Sequence, residues 1–358
     1  MSLEARPIDI YRKIVELIDG GGRLAAVLVL SAQGSTPQRA GARAVVEESG
    51  RLWGTVGGGA VEAEAQRAAA EACQSQRPSL FDFDMNSLEA ADEGSICGGC
   101  MRVLVDPTVA RHRACFARAA EALANRRRGC LLTRMRTGSE VEVVIQWLQS
   151  AADTSPTREQ GPELSEFLAS PSLAHRAGVP VLLRRPIAEG AEEVFVEPVL
   201  PHPRLVIAGG GHVGQAVALE AFRVGFDVTV IDDRPEFAAA ALFPPGVSAV
   251  CGPVPAQIAA YGLDDDSYVV LVTRGHRHDA EALERCIHRR LAYLGMIGSR
   301  RKVALLREKF LETGLATAEE FDRVRAPIGL EIGAVTVPEI AVSIVAQLIA
   351  VRRRARLS

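Results

Sequence analysis

The chain is short of the features that mark several whole classes of protein. Aromatic residues make up 5% of its 358 positions, and the net charge is only −3 at pH 7. There is neither a strong basic bias nor an abundance of stacking groups, so no nucleic-acid partner is expected. The 7 cysteines are odd in number and irregular in spacing. They fit free thiols in a reducing compartment better than a disulfide scaffold. Long apolar runs are missing too: near the N-terminus the longest is Leu24–Leu30, far too short to cross a bilayer. The opening segment MSLEARPIDIYRKIVELID mixes acids with apolar residues, as an amphipathic helix does and a secretory signal does not. A cytoplasmic protein without a membrane partner is therefore expected. The arginine runs Arg126-Arg127-Arg128 and Arg352-Arg353-Arg354 are short and read as solvated faces or helix C-terminal charges.

What is present is the composition of a globular protein, 48% hydrophobic and 24% charged, in a chain long enough for two cores. The first half reads as mixed α/β. A helix over Ile8–Ile18 leads to a strand over Arg23–Leu30, a polar loop Ser31–Gly41, and a hairpin of Arg43–Glu47 with Arg51–Thr55. An Ala- and Glu-rich helix, Ala60–Gln74, follows three glycines. Further strands are expected at Leu80–Phe83, Met101–Val105, Cys130–Met135 and Val141–Trp147, with a helix around Val109–Asn125. Residues Gln149–Ser172 are rich in Ser, Thr, Pro, Glu and Gln, which marks a linker or long surface loop. Strands near Val179–Leu183 and Glu193–Val199 come before Pro201-His202-Pro203. The expected organisation is an N-terminal α/β domain over 1–148, a linker with connecting strands over 149–202, and a Rossmann-like domain over 203–358.

From Arg204 onward short apolar strands (Leu205–Ala208, Asp227–Ile231, Ser248–Val250, Tyr268–Val272, Leu291–Gly295) alternate with helical stretches. That order predicts a doubly wound parallel sheet with right-handed crossovers. Within it, Leu205-Val-Ile-Ala-Gly209-Gly-Gly211-His212-Val-Gly214 is a strand running through a GxGxxG turn into a helix. Gly209 permits the turn, Gly211 lets a pyrophosphate approach the backbone, and Gly214 allows helix and strand to pack closely. The second strand ends in Asp232-Asp233, where an acid that binds a ribose belongs and where a 2′-phosphate is disfavoured. The fold is strongly indicated, whereas a purely structural role or a ligand other than a dinucleotide stays open.

Loops after the later strands add polar groups. Thr273-Arg-Gly-His276-Arg-His278-Asp279 reads as helix capping with surface polarity in preference to a metal site, because a third well-spaced ligand is missing. Gly298-Ser-Arg300-Arg-Lys302 puts cations at a helix start, which is unfavourable unless they face an anion such as phosphate. In the first half, Gly54-Thr-Val-Gly57-Gly58-Gly59 is a second glycine-rich passage from strand to helix. It reads either as an anion cradle or as a tight, closely packed turn. The loop Gln33-Gly-Ser35-Thr36-Pro-Gln38-Arg39 brings hydroxyls, an amide and a guanidinium that could complete such a site. Cys97-Gly98-Gly99-Cys100 suits an exposed thiolate in a loop, fit for a soft metal or a sulfur-bearing ligand, and also has the spacing of a redox pair.

Several motifs in one order carry a resemblance over nearly the whole chain. They are Gly34-Ser-Thr-Pro37 with Arg39-Ala-Gly-Ala42, Gly54–Gly59, Cys97-Gly-Gly99 before a strand ending Asp106-Pro107, Gly209–Gly214, Asp232-Asp-Arg234-Pro, Thr273–Asp279, Gly295–Lys302 and Ala326–Gly333. The set resembles the xanthine dehydrogenase accessory factor family (XdhC/CoxI). The resemblance implies an accessory protein with no catalytic residues of its own. Such a protein binds the molybdenum cofactor, as molybdopterin or a nucleotide derivative. It shields the cofactor, supports its sulfuration by a cysteine desulfurase, and delivers it to a xanthine dehydrogenase or related molybdenum hydroxylase. Cys97 would then sit near the molybdenum or its dithiolene sulfurs, with Gly98 and Gly99 beside it. Ser35, Thr36, Gln38, Arg39 and Gly57–Gly59, with Gly209, Gly211, His212, Gly214, Asp232 and Arg300, would hold phosphate and pterin. A homo-oligomer is expected.

Two departures from the family pattern stand out. Cys100 completes a CxxC where the family usually has only the first cysteine, and Val337-Pro338-Glu339 replaces a usual Pro-Glu-Glu. Two rival readings follow from the residues. One is an NAD-dependent oxidoreductase, which would bind an NAD-like dinucleotide and draw on His276 or His278. The other is a thiol-redox or metal-binding protein built on Cys97 and Cys100.

Overall fold

The computed structural model describes residues 9–84, 99–149, 179–274 and 276–354. Cys97, Gly98 and all but the first residue of the polar stretch Gln149–Ser172 lie outside the described residues. Two compact units divide between Pro201 and His202.

In the first unit, α1 (Ile10–Asp19) starts where the Asp9 carboxylate accepts the N–H groups of Tyr11 and Arg12, an N-cap at the expected helix. β1 (Leu24–Gly34) is followed by β2 (Arg43–Glu47) and β3 (Leu52–Gly54), which pair antiparallel as the expected hairpin. With α2 (Gly59–Ser75), β4 (Ser79–Asp84) and β5 (Gly99–Asp106) a five-stranded antiparallel sheet is complete, in the order β3-β2-β1-β5-β4. A 3-10 turn then enters α3 (Arg113–Ala124). A second antiparallel sheet follows from β6 (Gly129–Thr137), β7 (Val141–Leu148), β8 (Val181–Pro186) and β9 (Ala191–Val199), ordered β7-β6-β9-β8.

β1 explains its own near-continuous apolar run. Ala25, Val27 and Val29 meet Val61, Ala65, Ala68, Ala69 and Ala72 of α2. Leu28 and Leu30 face the other way, onto Met135 of β6 and Phe195 of β9. A strand covered on both faces cannot alternate apolar with polar. The strand also runs further than its polar end implied. Ser31–Gly34, read from sequence as loop, still pair with β5 after a register shift between Val29 and Ser31. The bulge takes the strand end out of the core to the surface, so its sequence is polar although its backbone is still extended.

β9 is unusual in carrying three buried acids, Glu192, Glu193 and Glu197, each met by arginine. Glu197 takes the Arg43 guanidinium at 2.5 Å and the Tyr11 hydroxyl at 2.8 Å. Burial and the Glu197 charge together push the Tyr11 pKa well above its usual value. Charges this deep are tolerated only because each has a partner.

In the second unit, β10 (Arg204–Ala208), α4 (His212–Arg223), β11 (Asp227–Asp232), β12 (Ser248–Cys251), α5 (Val254–Ala260) and β13 (Ser267–Leu271) come first. α6 (His276–Cys286), β14 (Tyr293–Met296), α7 (Arg300–Glu312), α8 (Ala318–Asp322) and α9 (Val337–Arg354) follow. All five strands are parallel in the order β12-β11-β10-β13-β14, the doubly wound arrangement expected from the alternating pattern. One face packs on α4 and α9 through Phe222, Ile344 and Leu348; the other packs on α5, α6, α7 and α8 through Ile258, Leu283, Phe310 and Phe321. At the start of α9, Thr336 and Glu339 bond reciprocally through Oγ1 and Oε2, a capping box. Among the described residues no helix is long and apolar enough to cross a membrane.

Candidate functional site

The candidate residues fall into two groups, one in each unit. In the first unit the end of β1 fixes three chain segments together. Gln33 lies opposite Cys100 and Gly34 opposite Gly99, and Asp84 of β4 flanks Cys100 on the other side. Gly99 has no room for a side chain: a Cβ there would sit 2.7 Å from the carbonyl oxygens of Gln33 and Ser35 and 2.8 Å from the Thr36 methyl. Gly57 is equally confined, with a Cβ reaching within 2.7 Å of the Pro37 ring. The Ser35–Arg39 loop is thus held between the glycine loop on one side and the segment that follows Cys97 on the other.

Within this cluster the groups differ in what they have left to offer. Thr36 Oγ1 donates to the Gln38 carbonyl at 2.9 Å, so this hydroxyl shapes the turn. Ser35 and Arg39 are exposed, Gln38 is half-buried, and Arg39 makes no ion pair among the described residues. The glycine loop does cradle an anion, but the anion belongs to the chain. Glu62, in the first turn of α2, accepts the N–H groups of Val56 and Gly58, both at 3.3 Å, and the Thr55 hydroxyl at 2.8 Å. Gly58 and Gly59, at φ 76° and 58°, supply the left-handed backbone that lets the loop curl around this carboxylate. Sequence reasoning misses Glu62. Its signal is an acid in the first turn after a glycine-rich loop, where it meets unpaired N–H groups and the helix dipole.

The cysteines separate by environment. Cys73, Cys130 and Cys286 are buried, and burial raises their thiol pKa values, to about 11 for Cys130 and about 12 for Cys286. Such thiols are poor nucleophiles and poor metal ligands. Cys100 and Cys251 are exposed. Among the described residues no group of three or more His, Cys, Asp or Glu is placed to hold a metal ion.

In the second unit the glycine turn has the geometry expected of the fingerprint. A Cβ at Gly214 would collide with the Gly209 carbonyl, so helix and strand meet as closely as the motif requires. Gly211 caps α4 with open space around it, and no side chain caps the helix. His212 is the first residue of α4. Asp232 ends β11 but is already fully engaged. Its Oδ2 accepts the Gly210 N–H at 2.7 Å and an Arg234 guanidinium nitrogen at 3.0 Å, and its Oδ1 accepts the Arg234 N–H at 3.0 Å and Nε at 2.9 Å. Burial alone would raise this carboxyl's pKa, but the Arg234 side chain and the two backbone N–H groups outweigh it and hold the pKa below its usual value. The Arg234 guanidinium also lies 3.8 Å from the centre of the Phe237 ring, and the Phe237 carbonyl abuts Gly210. Asp233 is different: half of its side chain is exposed, and its nearest cation, Arg234 Nε, is 4.0 Å away.

Asp232, Asp233 and Arg234 line a crevice of about 510 Å³ outside the carboxyl ends of β10, β11, β12 and β13, with Glu281 of α6 also in its wall. Gly209, Asp233, Thr273, Arg274 and His278 belong to its walls. Asp279, in the first turn of α6, is buried and accepts both the N–H and the hydroxyl of Thr273, at 3.0 and 2.5 Å, which ties the loop after β13 to the helix start. His278 is exposed, its Nδ1 3.2 Å from the Arg274 carbonyl oxygen. Arg300 is not in the crevice wall. It pairs with Glu331 at 2.6 Å on the surface, so the cation at the start of α7 faces an anion from within the chain.

A five-stranded parallel Rossmann unit joined to an antiparallel α/β unit defines the class of protein. The region 205–348 matches the XdhC Rossmann domain, and the region 17–84 matches the XdhC and CoxI family, together more than half of the chain. The chain belongs to the XdhC and CoxI family. It is 26% identical over 328 residues to a Bacillus subtilis (strain 168) protein named as a probable xanthine dehydrogenase subunit, covering 91% of this chain and 92% of that one. It is 27% identical over 343 residues to "Molybdenum cofactor insertion chaperone PaoD" of Escherichia coli (strain K12), covering 96% and 88%. YqeB of the same strain, described as uncharacterized, is 38% identical over 167 residues; these are 46% of this chain and only 30% of YqeB. The fold matches a crystal structure described as a xanthine dehydrogenase from Bacillus halodurans with a TM-score of 0.74 at 24% identity, over 97% of this chain and 96% of that one.

Proposed function

We propose that the chain is an accessory protein that binds the molybdenum cofactor and passes it to a xanthine dehydrogenase or a related molybdenum hydroxylase. The relatives named as a molybdenum cofactor insertion chaperone and a xanthine dehydrogenase subunit support this reading. The observation that carries it is the convergence at the end of β1, where Gly57 packs on Pro37 and Gly99 packs on Ser35 and Thr36.

In this reading the Ser35 hydroxyl, the Gln38 amide and the Arg39 guanidinium bind the phosphate of the cofactor. Thr36 holds their loop in shape, and Gly57, Gly58, Gly59 and Gly99 form walls without side chains. The Val56 and Gly58 amides do not take part, because Glu62 already occupies them. Cys97 stands two positions before Gly99 in the sequence. A thiolate there is a soft group suited to molybdenum or its dithiolene sulfurs. Held in this way, the cofactor would be shielded and presented to a cysteine desulfurase for sulfuration. The turn Gly209–Gly214 and His212 offer a second anion site. The oxidoreductase reading has less support, because the Asp279 carboxylate beside His278 already accepts the N–H and the hydroxyl of Thr273.

The test is the affinity of the purified chain for the cofactor, measured anaerobically. Arg39→Ala should weaken binding about tenfold, the loss of one charge-assisted contact, and Cys97→Ser should lower activation of the client enzyme. Cys100→Ser should leave both unchanged. Unaltered affinity in the Arg39 variant would refute the site, and loss of activation only in the Cys100 variant would favour the redox reading.

A further inference from the structure

The second unit has another concave surface, at the end of the sheet opposite the crevice. Where the chain leaves α6 and enters β14, Arg289 and Leu291 wall a pocket of about 230 Å³. Its other walls come from Glu320 in α8, from Arg323 and Arg325 just after that helix, and from Val351 of α9. Doubly wound sheets take their usual ligands outside the carboxyl ends of the strands, so the fold by itself gives no reason for a polar pocket at the amino end of β14.

The three arginines are exposed, and none makes an ion pair among the described residues. Two of them are nevertheless fixed in place. The Arg325 N–H donates to the Leu294 carbonyl at 2.8 Å and the Met296 N–H donates to the Arg325 carbonyl at 3.0 Å, so this residue runs alongside β14 as a parallel bridge to Gly295. The Arg323 guanidinium donates to the Ile287 carbonyl at 3.2 Å, which turns it towards the end of α6. Glu320 is the acid that could neutralise one of them, but its oxygens are engaged elsewhere. Oε2 accepts the Thr317 N–H at 2.8 Å in the capping box of α8, and Oε1 lies 2.9 Å from His288 Nδ1. With three guanidinium groups and one carboxylate in the walls, two positive charges are left over. Like charges around one cavity repel, and an entering anion relieves that cost.

Charge, donor geometry and size together describe the anion. A guanidinium only donates, and its planar fork matches the oxygens of a phosphoryl group two at a time. A phosphoryl group carries a charge of about −1.5 to −2 at neutral pH, which balances the surplus. The volume is below the roughly 300–1,000 Å³ of sites that take whole cofactors or drug-sized ligands, so little beyond the phosphoryl group itself is enclosed. We propose that the pocket at the amino end of β14 binds a phosphoryl group between Arg289, Arg323 and Arg325, as inorganic phosphate or as the head of a small phosphomonoester. This site belongs to the second unit and does not rest on the cofactor reading of the first.

Calorimetric titration of the full chain with inorganic phosphate, in a low-salt buffer free of other oxyanions, tests the assignment. Wild-type protein should bind one phosphate saturably. Arg289→Ala and Arg325→Ala remove guanidinium groups that bond to nothing else among the described residues, so both variants should keep the wild-type melting temperature. Each should bind phosphate about tenfold more weakly, the loss of one charge-assisted hydrogen bond. Arg290→Ala, an exposed neighbour outside the pocket, and Arg39→Ala in the first unit should both bind phosphate as wild type does. Acetate, which brings a single charge, should bind at least about tenfold more weakly than phosphate. Glycerol 1-phosphate identifies the source: tighter binding than phosphate marks an ester as the occupant, and equal or weaker binding marks the free ion. Wild-type protein that does not take up phosphate saturably, an equal loss in the Arg290 variant, or acetate binding as tightly as phosphate would each overturn the proposal. Because Arg39→Ala leaves this site intact, its failure is distinguishable from failure of the cofactor site.

Discussion

Glu62 and Asp232 play parallel parts in the two units. Each is a carboxylate that accepts the backbone N–H groups of a glycine-rich turn from a position the chain reaches a few residues after a strand or at its end. Both turns can therefore be read from sequence as places for an anion, while the anion that fills them is visible only when the side chains are placed. For Asp232 the difficulty is specific. The run Asp232-Asp233-Arg234 is compatible with either acid facing a ligand, and the Arg234 bonds decide between them. Glu62→Ala should destabilise the first unit by about 1–2 kcal/mol, the cost of leaving N–H groups without a partner. Denaturant unfolding would measure the loss, and faster hydrogen exchange at Val56 and Gly58 would place it. The Asp232 carboxyl titrates below its usual value when folded, so the unfolded chain binds more protons in that window and stability rises with pH through it. The contribution is complete above the unfolded pKa, near 4, and is lost as pH falls through the lower folded value. Asp232→Asn should lack this acid-sensitive part when denaturant midpoints are compared between neutral and acid pH.

At the level of elements, most strands and helices are legible because each has one period and one job. The parallel strands β10, β11 and β13 are short apolar runs, and α4 follows a turn that admits only glycine at 214. Gly214→Ala would force α4 away from β10, and overpacking of this kind costs about 1–3 kcal/mol. Thermal melting would record it, and an unchanged melting temperature would mean that helix and strand are not in the close contact described. Legibility fails where two periods or two environments overlap. The end of β1 is polar because Ser31–Gly34 leave the core after the bulge, although they still pair with β5. β9 is legible as a strand, but the depth of its glutamates is not: acids in a strand read as surface until Arg43, Arg102, Arg136 and Arg185 are seen to meet them.

At the scale of the whole molecule, the Rossmann unit is legible in full because its order is written in consecutive βα segments. The first unit is legible as elements but not as two sheets. Thr137 at the end of β6 pairs with Ala191 at the start of β9, 54 positions further along the chain, and no local pattern encodes such a pairing. The same holds for the site at the end of β1, whose parts come from the regions around residues 35, 57 and 99 and meet only through sheet pairing and close glycine contacts. Each loop alone is an ordinary turn; together they form the proposed cofactor site. That site is tested most directly by mass spectrometry of the small molecule that co-purifies anaerobically with the full chain from a host that makes molybdenum cofactor. The predicted result is a molybdopterin species with molybdenum, depleted in the Arg39→Ala variant. Protein free of pterin and molybdenum, or an equal load in the variant, would contradict it.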